Sequence, residues 1–428
     1  VNVQTLISPG GIEAWFVEDH TDPMVALSFA FDGGSSQVPA GKEGLANLVT
    51  LMLELGGGHL AGGDVRNQLD DLAIRRQFAA TKDAVVGSIE FLTESRDEAA
   101  HFLKLTLTQP HFEPDMVEHA RQRLLGFLAS SVTDPNHVAS AHWDAAAFPG
   151  HAYAHSVLGT EATVEEIGAG DLDSYHKRLF AKDALKVVVV GDISVDELGK
   201  LLDDVFGDLP TNADLLAVPK VSVALGGSET VIDMDVPRAV TVFGMNAMPR
   251  RDPDFVAAVV LNQIAGGDGN SSRLMREICS KRGMAHWVKT GLRPFRHASL
   301  FKGHVATRND MAGRLLDVVR EELHKMRGGE ISQADLDNAK SYLIGSYPLR
   351  FDANAKIAGQ LLGLWMHGFG ADYVYSRNAM LKAVTLDNLN RVAKRLFKPE
   401  NLIATIAGRP NLHQARAGAA SATTAPEQ

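Results

Sequence analysis

Three stretches of the chain carry side chains whose types and spacing could do chemistry. His151 and His155 stand four positions apart, which on a helix would put two imidazoles on one face as metal ligands. Pro149 and Gly150 immediately precede them and favour a loop, and no carboxylate follows at a useful spacing until Glu161, so a packed or capping role is expected. Gly266-Gly267-Asp268-Gly269-Asn270-Ser271-Ser272 precedes an expected helix, where free backbone amides can cradle an anion. The stretch lacks Gly-Lys-Ser/Thr and its glycines do not fit a dinucleotide fingerprint, so nucleotide binding is not expected. Cys279 has Lys281 and Arg282 nearby, a setting that can activate a thiolate. A cysteine hydrolase also needs a positioned base, and the turn expected at Gly283 separates His286 from the helix that carries the thiol.

The elements that position these residues belong to a folded chain. Its 428 residues suggest two or three domains, and 45% hydrophobic with 22% charged residues is ordinary globular usage. The balance of 42 Lys+Arg against 52 Asp+Glu gives a net charge of −10 with no basic run, which argues against a nucleic-acid partner. The longest wholly apolar run, Phe255 to Leu261, is too short for a transmembrane segment. One cysteine excludes an internal disulfide, which fits the cytoplasm without excluding the periplasm. The first residue is Val1 rather than Met, which fits either a removed signal peptide or a cloning choice; a periplasmic location is the expectation, with the cytoplasm as the alternative.

The chain reads as a duplication. Lys177-Arg178-Leu179-Phe180 matches Lys394-Arg395-Leu396-Phe397 at an offset of 217, each followed by a break, an apolar strand (Leu185 to Val190; Leu402 to Ile406) and glycine. Val117 to Arg121 with Leu124-Leu125-Gly126 faces Leu336 to Lys340 with Leu343-Ile344-Gly345 at an offset of 219. Gly44 to Leu55, followed by glycines, faces Phe255 to Ala265 at an offset of about 210. The expected division is a first repeat over 1–212, a linker over 213–227, a second repeat over 228–412 and a disordered Ala/Ser/Thr-rich tail over 413–428. Val25 to Phe31 predicts a strand; Leu45, Leu48, Val49 and Met52, like Leu315, Val318, Val319 and Leu323, recur at helical spacing. Strands and helices that do not strictly alternate give an α+β class, two tandem homologous domains.

These residues carry a resemblance. Gly44-Leu45-Ala46 opening a helix, Phe148-Pro149-Gly150-His151-Ala152-Tyr153, Val187 to Gly191, Ser271-Ser272-Arg273-Leu274 leading into Lys281 to Ala285, and Tyr347 to Asp352 together resemble the pitrilysin/insulinase-type zinc peptidases. The likeness covers about residues 5 to 410 and implies the metallohydrolase fold of the processing-peptidase type.

Active members of that family carry H-x-x-E-H on the first long helix, two histidines to hold zinc and a glutamate to take the proton of the metal-bound water. The corresponding stretch here is Asn47-Leu48-Val49-Thr50-Leu51, with Asn47 and Leu51 in place of the histidines and Thr50 in place of the base. The family's third ligand, a glutamate further on, falls at Gly126-Phe127-Leu128, and no acidic residue lies between His119 and Thr133. The resemblance therefore implies no zinc centre in this chain. The family's arginine and tyrosine, which bind substrate near the scissile bond, align with Cys279 and His286; His286 could still donate a hydrogen bond, and Arg276 lies a turn before Cys279.

What the resemblance implies is a non-catalytic subunit of a heterodimeric zinc endopeptidase, no enzyme on its own. It would enclose and position an unfolded peptide for a homologous H-x-x-E-H partner that holds the zinc. Likeness to the glycine-rich loop of the processing peptidase's non-catalytic subunit assigns peptide contact to Gly266, Gly267 and Gly269, with His286, against the plain alternative of a flexible turn. The alternative function is a stand-alone structural or peptide-binding homologue, motivated by the missing arginine and tyrosine.

Overall fold

A computed structural model describes residues 2–410. The tail expected over 413–428 lies outside the described residues.

The first sheet holds β1 (Gln4–Ile7), β2 (Glu13–Glu18), β3 (Met24–Asp32), β6 (Arg75–Ala80), β7 (Ala84–Leu92) and β8 (Leu185–Gly191), in the order β1-β2-β8-β3-β7-β6. A separate two-stranded hairpin joins β4 (Gly56–Gly57) to β5 (Leu60–Ala61). The second sheet holds β9 (Glu229–Ile232), β10 (Arg238–Asn246), β11 (Ala285–Pro294), β12 (Ser299–Arg308) and β13 (Ile403–Ala407), in the order β11-β12-β10-β13-β9. Read from β6 and from β11, the two sheets have the same sequence of neighbours, and each contains one parallel pairing, β2 with β8 and β13 with β9. The duplication thus holds at the level of strand order as well as sequence, and the α+β class follows from sheets dominated by antiparallel neighbours with helices between them.

Central strands are buried on both faces, which explains their nearly continuous apolar runs: the seven residues Val25–Phe31 are all buried, as are Val187–Gly191. On one face of the first sheet, Leu48, Val49, Met52, Phe102, Leu107, Leu172, Leu179, Leu198 and Leu202 from its flanking helices form the main core with Phe16, Leu27, Phe29 and Phe31. The opposite face is covered by the helix Asn354–Met366, whose Ile357, Leu361, Leu362 and Leu364 pack on Val17, Val188 and Val190. Each such side chain contributes about 1.5–3 kcal/mol relative to exposure. Trp365 of that helix stacks on Trp15, ring centroids 5.0 Å apart.

The second sheet repeats the plan. Helices Phe255–Gly266, Ala312–Arg327, Gln333–Gly345 and Leu386–Leu396 cover one face, and the helix Pro135–Ala147 covers the other. Fully buried Trp143 on that last helix donates its indole N–H to the Ile403 carbonyl at 3.0 Å, and the Lys302 ammonium sits 4.3 Å above its ring while pairing with Asp144 at 2.9 Å.

Packing therefore groups the chain differently from the order of its repeats. Among the described residues, one compact unit comprises those up to 128 with 155–218 and 346–376; the other comprises 129–154, 219–345 and those from 377 on. The division expected at 213–227 concerns the order of the sequence repeats; in packing, each repeat lends one helical segment to the sheet of the other.

Candidate functional site

The helix Leu45–Leu53 begins at Gly44, whose φ of +104° favours glycine and whose substitution would bring a Cβ to 2.8 Å from the Leu158 carbonyl oxygen. From there Asn47, Thr50 and Leu51 follow at positions i, i+3 and i+4, one helical face. Asn47 is half-buried, Thr50 and Leu51 are buried, and the Thr50 hydroxyl donates to the Asn47 carbonyl oxygen at 2.7 Å. That hydrogen bond turns the only hydroxyl of the three back onto its own helix. Past the helix end, Glu54 is held by Arg123 at 3.0 Å, and its carbonyl oxygen accepts from Arg76 at 2.9 Å.

On the helix Pro114–Ser131, the stretch expected at the third-ligand position is Gly126, Phe127 and buried Leu128. An amide, a self-bonded hydroxyl, an aliphatic side chain and no carboxylate make a donor set that does not fit zinc. Among the described residues no group of three or more His, Cys, Asp or Glu is placed to hold a metal ion. His151 is buried in a loop, where its Nε2 lies 3.1 Å from the Pro219 carbonyl and its Nδ1 accepts from the Tyr153 amide; His155 lies 3.8 Å from Glu43. Each has its own local partner, in keeping with a packing role.

In the other unit, the glycine-rich stretch follows the helix Phe255–Gly266. Its Asp268 is fixed from two sides: the Gln263 amide donates to its carbonyl oxygen at 2.6 Å and Lys289 pairs with its carboxylate at 2.5 Å. A Cβ on Gly266 would meet Thr290 and one on Gly267 would meet Gln263, while Gly269 adopts φ +92°. Ser272 is buried, with no partner for its hydroxyl among the described residues. The loop is thus pinned at its centre by residues that sequence reasoning missed, Gln263 and Lys289.

Cys279 lies in a short π-helical turn, Met275–Ser280, with its thiol 3.7 Å from the Met275 sulfur, and burial pushes its pKa up. Lys281 and Arg282 do not serve the thiol. Both grip buried Glu277 at 2.7 Å, and Arg276 approaches the same carboxylate at 3.9 Å; Lys281 foremost among these contacts brings Glu277 down to about 2. Nucleophilic chemistry at Cys279 has neither an electropositive setting nor a base on its helix.

His286 stands beyond the turn, exposed on β11 where the pairing with β12 slips between Ala285 and Val288. Its Nε2 is 3.1 Å from the Arg238 guanidinium. Because guanidinium only donates, Nε2 is the acceptor and the proton sits on Nδ1, leaving one N–H to donate. Arg238 lies 48 positions away and comes close only through the order β11-β12-β10, so no local pattern could have found it.

Two packing units with the same strand order, and a first helix carrying amide, hydroxyl and alkyl groups where a zinc peptidase carries ligands and base, define a non-catalytic chain of peptidase fold. The insulinase (peptidase family M16) model matches residues 15–161 and the peptidase M16 inactive domain model matches residues 166–343, so the chain belongs to peptidase family M16. It is 27% identical over 345 residues to the non-peptidase homolog YmxG of Helicobacter pylori, covering 80% of this chain and 79% of that one. It is 26% identical to the probable mitochondrial-processing peptidase subunit beta of Schizosaccharomyces pombe, over 59% of this chain and 57% of that one. Among solved structures, a peptidase M16 inactive domain from Pseudomonas fluorescens superposes with a TM-score of 0.89 at 25% identity, covering 96% of this chain and 98% of that one. A protease from Helicobacter pylori shares the fold with a TM-score of 0.87 at 18% identity, over 95% and 99%.

Proposed function

We propose that this protein is the non-catalytic subunit of a heterodimeric zinc endopeptidase. It pairs with a homologous M16 chain that carries intact H-x-x-E-H and the zinc, and the two enclose an unfolded peptide. Its contribution is orientation of the substrate rather than bond chemistry. The observation that carries this reading is the helix Leu45–Leu53: both copies of the fold are complete, yet Asn47, Thr50 and Leu51 cannot bind or activate a metal-bound water. In the second copy, the stretch from Gly266 to Ser272 and the free Nδ1–H of His286 are the groups assigned to peptide contact. We place the complex in the periplasm.

The test is peptidase activity of this chain, of the partner, and of their mixture. Zinc-dependent cleavage by the mixture and none by this chain is expected; zinc-dependent cleavage by this chain alone overturns the reading.

A second reading, a stand-alone structural or peptide-binding homologue, is favoured by one observation, the replacement of the arginine and tyrosine by Cys279 and His286. Co-purification separates the two: a stable complex with a zinc-binding homologue supports the first, and an exclusive self-dimer supports the second.

A further inference from the structure

His176 on the helix Ala169–Leu179 is buried, yet it lines a cavity of about 370 Å³ with Leu107, Pro110, Phe112, Phe180 and Leu209. Its Nε2 lies 2.9 Å from the Leu107 carbonyl oxygen. A carbonyl only accepts, so Nε2 carries the proton and Nδ1 keeps its lone pair. Among the described residues no donor reaches Nδ1. Phe180 stacks on the imidazole with ring centroids 4.3 Å apart, and Phe112 meets it edge-on at 6.0 Å, so the ring plane is fixed.

The charged side chains of the wall are already engaged. Lys177 pairs with Asp173 at 2.7 Å and Lys104 with Asp208 at 2.7 Å. Thr108 donates its hydroxyl to the Lys104 carbonyl oxygen and exposed Gln109 adds an amide to the wall, so the cavity presents mainly apolar and aromatic surface in which His176 Nδ1 is the buried uncharged side-chain acceptor. We propose that it binds a small neutral aromatic compound carrying one O–H or N–H donor, of the phenol or indole class, with the donor directed at His176 Nδ1. The volume lies at the lower end of small-molecule sites and suits one or two fused rings, not a nucleotide. Burial keeps the imidazole uncharged near neutral pH and so preserves the acceptor. The inference rests on one packing unit and stands independently of the proposed pairing with a catalytic chain.

The test is a titration of the full chain, followed through the side-chain nitrogen resonances of His176, with p-cresol, 3-methylindole and toluene. The two donors are expected to bind saturably in about the millimolar range, as ligands of so few atoms can, and to shift Nδ1. Toluene, which fills the same space without a donor, is expected to bind about fivefold more weakly. Thr108→Phe, which adds a ring at a half-buried position of the wall, is expected to abolish binding; His176→Phe is expected to remove the preference for p-cresol over toluene. N-acetyltyrosinamide distinguishes the source of the ring, binding as well as p-cresol where the natural ligand is a peptide side chain and more weakly where it is a free compound. Absence of saturable binding by both donors, equal affinity for p-cresol and toluene, or an unchanged Thr108→Phe overturns the proposal.

Discussion

Phe29 faces Gly87 across the pairing of β3 with β7, so closely that a Cβ on Gly87 would stand 2.2 Å from the ring. The second copy repeats this with Phe243 and Gly303 across β10 and β12, again at 2.2 Å. The two glycines are flat floors for an aromatic ring on a central strand of each sheet. Either Gly87→Ala or Gly303→Ala should force the ring off its rotamer and destabilise the protein by about 1–3 kcal/mol. Denaturant unfolding of the single variants measures this, and a variant as stable as the parent would show that the ring can move aside.

The exchange of helical segments makes each sequence half incomplete as a folding unit. A chain ending at residue 218 lacks Ile357, Leu361 and Leu362, which cover Val17, Val188 and Val190; one starting at 219 lacks Trp143, which covers Val242. Neither half alone should give a cooperative thermal transition by circular dichroism, whereas co-expression of the two should restore one. A sharp transition in an isolated half would contradict this account of the packing.

Rebuilding the motif as Asn47→His, Thr50→Glu and Leu51→His should not restore a zinc centre. The stretch expected at the third-ligand position still offers Gly126-Phe127-Leu128, and a carboxylate is placed where Thr50 is buried, an unfavourable transfer without a partner. Metal analysis after gel filtration is expected to find less than stoichiometric zinc and a lowered melting temperature. Stoichiometric zinc would mean that another carboxylate completes the site.

His286→Ala tests the proposed peptide contact. Loss of one neutral hydrogen bond should weaken cleavage by the heterodimer by about 0.5–1.5 kcal/mol in kcat/KM without disturbing assembly. Unchanged turnover and Michaelis constant would leave this subunit as a wall around the substrate.

His176 sets a pH dependence. Burial, foremost, lowers its folded pKa from 6.5 to about 4, so between those values the unfolded chain binds the proton and the folded chain does not. The stability gained from the neutral ring is complete above about 6.5 and is lost as the pH falls toward about 4, up to about 3 kcal/mol in all. His176→Phe, which cannot titrate, should lose stability less steeply than the parent over that window. Parallel curves would show that the imidazole titrates normally.

The sequence by itself determined the duplication and the α+β class, because these rest on local facts, residue types at helical or strand spacing; that Asn47, Thr50 and Leu51 stand where zinc ligands and base would be is what the family resemblance implies, and their chemistry supplies the rest. The strand expected over Val25 to Phe31 and the helix expected from Leu45 stand as β3 and Leu45–Leu53, since burial on a fixed face imposes their periods. Tertiary structure alone decided which helix covers which sheet, for the apolar faces of Pro135–Ala147 and Asn354–Met366 read the same whichever sheet receives them. It alone decided that Lys281 and Arg282 grip Glu277 instead of activating Cys279, that Arg238 reaches His286, and that His176 keeps one nitrogen free in a cavity. Periodicity reports that a side chain is buried or charged; the partner it meets depends on strand order and helix placement, which are properties of the folded chain as a whole.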